Sequence, residues 1–156
     1  MAVQGFSTAL IFAWLAIGFW DNLRYPSVNE TYTAQVVQME RMREEFPDEF
    51  SLVAHRAISD RGFQRLMFRL VVLAEGLATL LLFLGVIATL MALVGTGTVG
   101  TAKTMMLIGA AAFTGVWASF LIVGNYFCYW FGHEGAQNTH YQMTLWGLGT
   151  MIFVTL

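Results

Sequence analysis

The sequence predicts an all-α protein, a four-helix transmembrane bundle with a long, partly helical and amphipathic first loop. Of its 156 residues, 57% are hydrophobic and only 12% are charged, whereas a soluble globular domain has about 25% charged residues. The charges are also clustered, because seven of the eight basic residues lie between Arg24 and Arg69, and eight of the ten acidic residues between Asp21 and Asp60. Long stretches with little or no charge remain, and a membrane-spanning helix needs about 20 apolar residues.

The composition excludes several classes of protein. Cys128 is the only cysteine, so the chain is not a disulfide-stabilised secreted scaffold. Its apolar content excludes disorder. Eight basic residues against ten acidic ones, without a basic patch, argue against a nucleic-acid partner. The length fits one integral membrane domain, residues 1–156.

Four stretches with few charges are predicted to cross the membrane as helices, because a helix satisfies its own backbone hydrogen bonds within lipid. The first has no basic residue before Arg24, so it is interpreted as a retained span and not a cleaved signal peptide. The glycine- and threonine-rich segment 96–101 is predicted to be a turn. The spans cover about residues 2–20, 66–95, 104–127 and 139–156.

The fourth stretch is short for a span. From Tyr141 to Leu156 it would give roughly 24 Å of helix, against a hydrocarbon core of about 30 Å. Either a natural tail is missing from the given chain, or the helix begins in the preceding loop.

Small residues at four-residue spacing are predicted to let the helices approach closely, since packing in lipid depends on such contacts. In the second span, Ala74 with Ala78 and Gly85 with Thr89 have this spacing. The same faces could equally contact helices of another protein. The main helix-packing sets are Gly5, Ala9 and Ala13 in the first span, and Ala111, Gly115 and Ser119 in the third.

Aromatic residues at the ends of spans predict an interfacial belt. A contact with a pigment or a quinone is the alternative. If the belt is correct, the first and third loops share one face of the membrane, as four antiparallel spans require. The belt residues are Trp20, Tyr126, Tyr129 and Trp130.

The first loop, residues 21–65, is predicted to be folded. Tyr32, Val36, Met39, Met42 and Phe46 follow the spacing of one helical stripe. The stripe has two interpretations, an amphipathic cap on the membrane surface or a docking surface for a partner.

The ends of the loop helices are also predicted. Asn29 or Thr31 would cap the first loop helix and Pro47 would end it. Asp48 would cap a second short helix, and Ser59-Asp60 would open the second span.

Several segments together resemble a family of small bacterial integral membrane proteins catalogued as a domain of unknown function, whose members look like four-span proteins with a long first loop. The resemblance covers nearly the whole chain and adds topology, not an activity. The segments that carry it are Asp21-Asn22-Leu23 with Tyr25, Gln35-Val36-Val37-Gln38-Met39 followed by Phe46-Pro47, Arg56-Ala57-Ile58, Ala74-Glu75, and Phe120-Leu121-Ile122-Val123-Gly124 leading into Tyr126-Phe127 and Trp130.

Two arguments about the orientation of the chain in the membrane give opposite results. Counting Lys and Arg places the first loop in the cytoplasm. The resemblance implies the opposite, with both termini and the second loop cytoplasmic, although relatives have a more basic second loop and only Lys103 stands there in this chain.

Glu75 is the one charge well inside a span, and an ionisable residue there is a functional candidate because its insertion costs at least ~2.5 kcal/mol. Arg69 lies six residues earlier, which is a poor spacing for a helical pair. The expected role is a polar contact, a hydrogen bond to a Ser, Thr or Asn of a neighbouring helix. Proton or ion handling and an intermolecular contact are the alternatives.

The histidines give weak candidates for a metal site, namely His133, Glu134 and His140, whose spacing matches no specific site. A haem would need two imidazoles facing each other inside the bundle, and no histidine is near the bilayer centre. No cofactor is therefore expected. Cys128 is expected to be a buried free thiol.

No catalytic motif is present, so an enzyme is not expected. The predicted function is a non-catalytic accessory subunit of a larger complex of bioenergetic type, respiratory or photosynthetic, in the bacterial inner membrane. Its partners would be other integral membrane subunits and membrane lipids. The alternatives are a small proton, ion or solute transporter that uses Glu75, and a haem-binding electron-transfer subunit.

Overall fold

The computed structural model describes all 156 residues and contains helices without strands. The predicted all-α class is therefore confirmed, as is a folded first loop. The helices in chain order are α1 (Ala2–Arg24), α2 (Pro26–Val37), α3 (Glu40–Glu45), α4 (Pro47–Val53), a 3-10 turn (Ala54–Arg56), α5 (Arg61–Leu93), α6 (Val99–Tyr126) and α7 (Glu134–Thr155).

Three helices, α1, α5 and α6, are long and apolar enough to cross a membrane. Helix α7 has 22 residues but a more polar sequence, and it is not among them. It begins at Glu134, ahead of the predicted 139, so the helix does start in the preceding loop. The fourth span stays a prediction, although α7 packs along α6 at Gly147 and Phe113.

Side-chain caps fix the starts of α5 and α6. The Asp60 carboxylate accepts a hydrogen bond from the Phe63 backbone N–H at 2.6 Å, as predicted for the opening of this span. The Thr98 hydroxyl does the same for Thr101 at 3.0 Å. Helix α6 therefore begins at Val99, inside the predicted 96–101 turn, and the turn itself is shorter than predicted.

The predicted caps of the loop helices are wrong. Helix α2 begins at Pro26, because proline at the first helical position has a suitable φ and lacks only an N–H that would be unpaired anyway. Asn29 and Thr31 therefore lie inside this helix. Likewise α4 begins at Pro47, so that Asp48 stands in its first turn and is not its cap.

The predicted single stripe is divided between two helices. Met39 has φ 54° and ends α2 in the left-handed region, after which α3 runs to Glu45 and ends before Pro47, as predicted. Nothing in the local sequence signals this break, because glycine or asparagine is the usual residue in that conformation.

Two separate clusters form the core. One lies within the bundle and draws residues from α1, α5, α6 and α7; it comprises Ile11, Leu15, Ala78, Leu82, Ala110, Phe113, Val116 and Met143. The other joins the first loop to the third loop and comprises Val37, Met39, Met42, Phe127 and Cys128. The first and third loops therefore form one folded unit, called here the cap (residues 25–60 and 127–133), at one end of the bundle.

Helices α5 and α6 approach each other through reciprocal glycines. A Cβ on Gly109 would lie 2.9 Å from the Leu82 Cα, and one on Gly85 would lie 3.2 Å from the Met106 Cα. The Leu82 backbone cannot easily move aside, so position 109 requires glycine, whereas a side chain at position 85 would need the α6 backbone to shift by a few tenths of an ångström.

The predicted small-residue faces are only partly correct. Gly5 is buried against Thr89, whereas Ala9 is half-buried and Ala13 is exposed. The whole set in the third span faces outward, because the buried side of α6 is the one that carries Gly109 and Phe113. The exposed set is Ala111, Gly115 and Ser119.

Candidate functional site

Glu75 lies inside the bundle and is hydrogen-bonded to a neighbouring helix. Its side chain is 6% exposed. The Asn22 Nδ2 of α1 donates to Glu75 Oε2 at 2.7 Å, and the Asn29 Nδ2 of α2 donates to Asn22 Oδ1 at 2.6 Å. Asn22 is thus a partner of the kind expected from the sequence, and Arg69 is exposed on α5. The chain of three polar groups ties α5, α1 and α2 together.

The local sequence explains how Asn22 and Asn29 come together. Tyr25 is the single residue between the end of α1 and the start of α2. Because Pro26 starts the next helix at once, the chain turns back sharply over the end of α1. Two asparagines seven residues apart thereby face each other above Glu75.

A cavity of about 380 Å³ surrounds Glu75 on the side facing the cap. It lies between α2, α5, α6, the start of α7 and the loop 127–133. Glu75 is the only acidic residue that lines it, and no lysine or arginine does. Aromatic side chains are abundant around it, namely Tyr32, Phe68, Trp117, Phe120, Phe127, Tyr129 and His140.

Three residues that line the cavity carry buried polar atoms without a hydrogen-bond partner in the protein. They are the indole nitrogen of Trp117, the hydroxyl of Tyr129 and Nδ1 of His140. Buried polar groups in native proteins are nearly always paired, and an unpaired one costs about 1–3 kcal/mol. The group around Glu75 is therefore incompletely satisfied by the protein alone.

Aromatic packing holds His140 in place. Its ring lies 4.8 Å from Phe120 and 5.6 Å from Trp117, and it stacks on Tyr129 at 5.9 Å between ring centroids. The Tyr129 ring in turn covers Gly124, where an added Cβ would meet it at 2.7 Å. The wall of the cavity is thus a contiguous set of rings.

Tyr129 is buried, so its predicted place in the interfacial belt is wrong; the other three members, Trp20, Tyr126 and Trp130, are exposed. Burial, with Tyr141 as a smaller cause, raises the pKa of Tyr129 to about 12. The phenol is therefore uncharged at neutral pH and can donate a hydrogen bond.

The weak metal candidates do not come together. No group of three metal-ligating side chains exists in the structure. His133 is buried with its ring 5.1 Å from that of Tyr32, Glu134 is exposed, and His140 packs among the aromatic rings. His140 is also the only histidine that lines the cavity, so the cavity does not offer the two imidazoles that a haem would need.

Burial lowers the pKa of His133, and the nearby Arg41 lowers it further. Both ring nitrogens lack hydrogen-bond partners. The carboxylates of Glu134, Glu45 and Glu40 offset this lowering of the pKa only in part, so His133, the last residue of the cap, is mainly uncharged at neutral pH.

The stripe in the first loop packs on the chain's own third loop. Met39 and Met42 are buried against Phe127 and Cys128, and Val36 is half-buried beside them. Tyr32 and Phe46 are more exposed, and their rings contact those of His133 and Phe131. Most of the stripe is therefore not available to a partner, and its residues hold the cap together. Cys128 is a buried free thiol, as expected.

The exposed set of small residues on α6 forms a shallow strip. A Cβ added to Gly115 would meet no atom within 4 Å. Ala111 and Ser119 lie one turn to either side, and the large exposed side chains Ile108 and Ile122 mark the two ends. Ala111, Gly115 and Ser119 are called the α6 strip below.

Sequence reasoning found Glu75 but missed the residues that complete its site. Asn22 follows an apolar span directly, and an amide there is a usable signal for a polar contact. Tyr129 carries no such signal, since aromatic residues near span ends are common in membrane proteins. Trp117 lies well inside α6, where nothing in the local sequence distinguishes it from an ordinary apolar packing residue.

The family model described as "Predicted small integral membrane protein (DUF2165)" matches residues 1–156, the full length of the chain. No curated protein and no solved structure matches.

Proposed function

The chain belongs to the DUF2165 family of predicted small integral membrane proteins, and we propose that it is a non-catalytic accessory subunit of a larger complex in the bacterial inner membrane, of bioenergetic type. It would contribute packing surface to other membrane subunits and a cap at one face of the bilayer. The observation that supports this proposal is the outward-facing α6 strip.

In lipid, association of helices gains little from the hydrophobic effect, and close contact between backbones supplies much of the attraction. Small residues at four-residue spacing permit that contact, as in the small-xxx-small pattern. The α6 strip has this spacing, its three residues are exposed, and no atom of the chain lies within 4 Å of a Cβ added to Gly115. A helix of another subunit is the occupant that would use it.

Extraction in mild detergent followed by mass analysis tests the proposal. We expect one stable complex that contains this chain, and Gly115→Leu should release the chain from it because the leucine fills the strip. A wild-type chain that is cleanly monomeric after gentle extraction would contradict the accessory role.

Gly18→Leu is the matched control. Gly18 is also exposed in a spanning helix, with no atom within 4 Å of an added Cβ, but Trp14 and Asn22 occupy the positions four residues away. This variant should stay in the complex. Equal loss from both variants would indicate that any added bulk is disruptive, and would remove the support for the α6 strip.

A second function, a small transporter that uses Glu75, is supported by the position of that carboxylate beside the cavity. Glu75→Gln should abolish flux in proteoliposomes while the fold is retained, because glutamine can still accept the hydrogen bond of Asn22. Absence of flux in the wild-type protein, or equal flux in the variant, would exclude this candidate.

A further inference from the structure

We infer that the cavity beneath the cap is a binding site for an apolar organic cation, an ammonium group carried on a hydrocarbon body. This inference is independent of the accessory role. It concerns binding and does not require transport.

The charge of the cavity points to a cation. Glu75 is the only carboxylate in the lining, and no lysine or arginine balances it; His140 is the one titratable nitrogen base there. The Asn22 amide occupies Oε2, whereas no hydrogen bond reaches Oε1. Oε1 is also not sealed off by surrounding protein atoms, unlike the unpaired atoms of Trp117, Tyr129 and His140. One carboxylate oxygen is therefore open to a ligand.

The aromatic lining suits the same ligand. The rings of Trp117, Phe120 and Tyr129 lie around His140, and Tyr32 is at the edge of the cavity. Ring faces attract organic cations, most strongly when water is excluded, and aromatic cages that recognise quaternary ammonium groups work in this way. An anionic ligand would meet the carboxylate without a lysine or arginine to compensate it.

The size and the opening of the cavity fit a small molecule. Its volume of about 380 Å³ lies within the range of about 300–1,000 Å³ for ligand pockets. Asn29, Tyr32 and Thr139 line it and are exposed, whereas Glu75 is buried. Val123 of α6 is exposed in the lining as well, so the mouth lies between α2, the C-terminal half of α6 and the start of α7, and the carboxylate lies at the inner end.

The test measures binding to the full-length chain in phosphatidylglycerol nanodiscs by equilibrium dialysis of radiolabelled benzyltrimethylammonium. We expect saturable binding that is about tenfold weaker, or lost, in Glu75→Gln, in line with removal of a charged partner. Glu44→Gln is the matched control, because Glu44 is exposed in α3 and does not line the cavity. It should bind as the wild type does. No saturable binding by the wild type, or equal binding by Glu75→Gln, would overturn the inference.

A second measurement needs no variant. Neopentylbenzene has the shape of the probe with carbon in place of the charged nitrogen. It should compete poorly with the labelled cation. If neopentylbenzene displaced the labelled cation at a concentration similar to that of unlabelled benzyltrimethylammonium, the cavity would select for apolar shape alone. That result would overturn the assignment of a cation.

The ammonium group could belong to a lipid headgroup or to a free molecule. Nanodiscs that contain phosphatidylethanolamine distinguish these sources. A weaker apparent affinity for the probe in those nanodiscs supports the inference with the lipid amine as the ligand, and an unchanged affinity supports it with a free amine.

Discussion

The two halves of the helix bundle are built differently. In the half remote from the cap, helices meet at glycines, with Gly109 against Leu82, Gly85 against Met106 and Gly5 against Thr89. In the half beside the cap, α1 still packs on α5, where a Cβ on Gly76 would lie 2.8 Å from the Phe19 ring, but a cavity adjoins Glu75 between α5, α6, α2 and the start of α7. We call these the closed half and the open half.

The difference shows how a short chain can combine rigidity with a site. The closed half gains stability from backbone contact, which in lipid takes the place of hydrophobic burial. The open half gives up that contact and keeps unpaired polar groups at Trp117, Tyr129 and His140. The two halves should therefore respond to substitution in different ways.

The largest effect is expected in the closed half. Gly109→Leu places a side chain where a Cβ alone would be 2.9 Å from the Leu82 backbone, and overpacking of this kind costs about 1–3 kcal/mol or more. We expect the variant to lose its monodisperse peak in size-exclusion chromatography and to unfold at much lower temperature.

Gly149→Leu is the control for this substitution, because Gly149 is exposed with open space around it. It should unfold close to the wild type. If Gly109→Leu did the same, the close approach of α5 and α6 would not be a source of stability.

A smaller effect is expected from Asn22→Ala in the open half. The substitution removes the donor to Glu75 and the acceptor of Asn29, and an unpaired buried group costs about 1–3 kcal/mol. Thermal unfolding should show this loss, whereas Asn125→Ala, at an exposed asparagine without a side-chain hydrogen bond, should not.

A double variant sharpens this prediction. Removing both partners by adding Glu75→Leu to Asn22→Ala should recover part of the lost stability, since no carboxylate is then left unpaired. A purely additive loss would mean that the hydrogen bond does not couple the two residues.

Gly132→Ala should loosen the cap by about 1–2 kcal/mol, because Gly132 has φ +83° and alanine is strained in the left-handed region. An added Cβ would also lie 2.7 Å from that of Arg41. Limited proteolysis of residues 25–60 measures the effect. Gly135→Ala, in a helix with open space, should leave cleavage unchanged or slower.

The smallest effect is a dependence on pH through His133. Its pKa in the folded protein is below the ordinary 6.5 because of burial. Below pH 6.5 the unfolded chain therefore takes up a proton that the folded chain does not, and stability declines as the pH falls toward the folded-state pKa. Unfolding temperatures between pH 7.5 and 5.5 should show this decline, and His133→Phe should flatten it. An unchanged slope in His133→Phe would show that another group titrates.

Local rules predicted the elements that depend on neighbouring residues in the sequence. The apolar stretches, the Asp60 cap and the break before Pro47 follow from such rules. The left-handed turn at Met39 does not, because the burial of that side chain against the third loop holds a conformation that its own sequence disfavours.

The candidate site was predicted only at Glu75. Small residues occur on two faces of α6, at Gly109 and at Gly115, and spacing alone cannot say which face turns inward. The cavity depends on six segments meeting, the five that surround it and the end of α1, with residues as distant as Asn22 and His140. A feature of that kind exists only at the level of tertiary structure.

The cavity around Glu75 also has a thermal consequence. The cavity is absent from the unfolded chain, so a compound that fills it binds the folded state alone. Such binding raises the unfolding free energy by about 2.7 kcal/mol when the free ligand is at 100 times its Kd. A ligand of the cavity can therefore be identified by measuring the melting temperature with each candidate compound, because the ligand raises it above that of the protein alone.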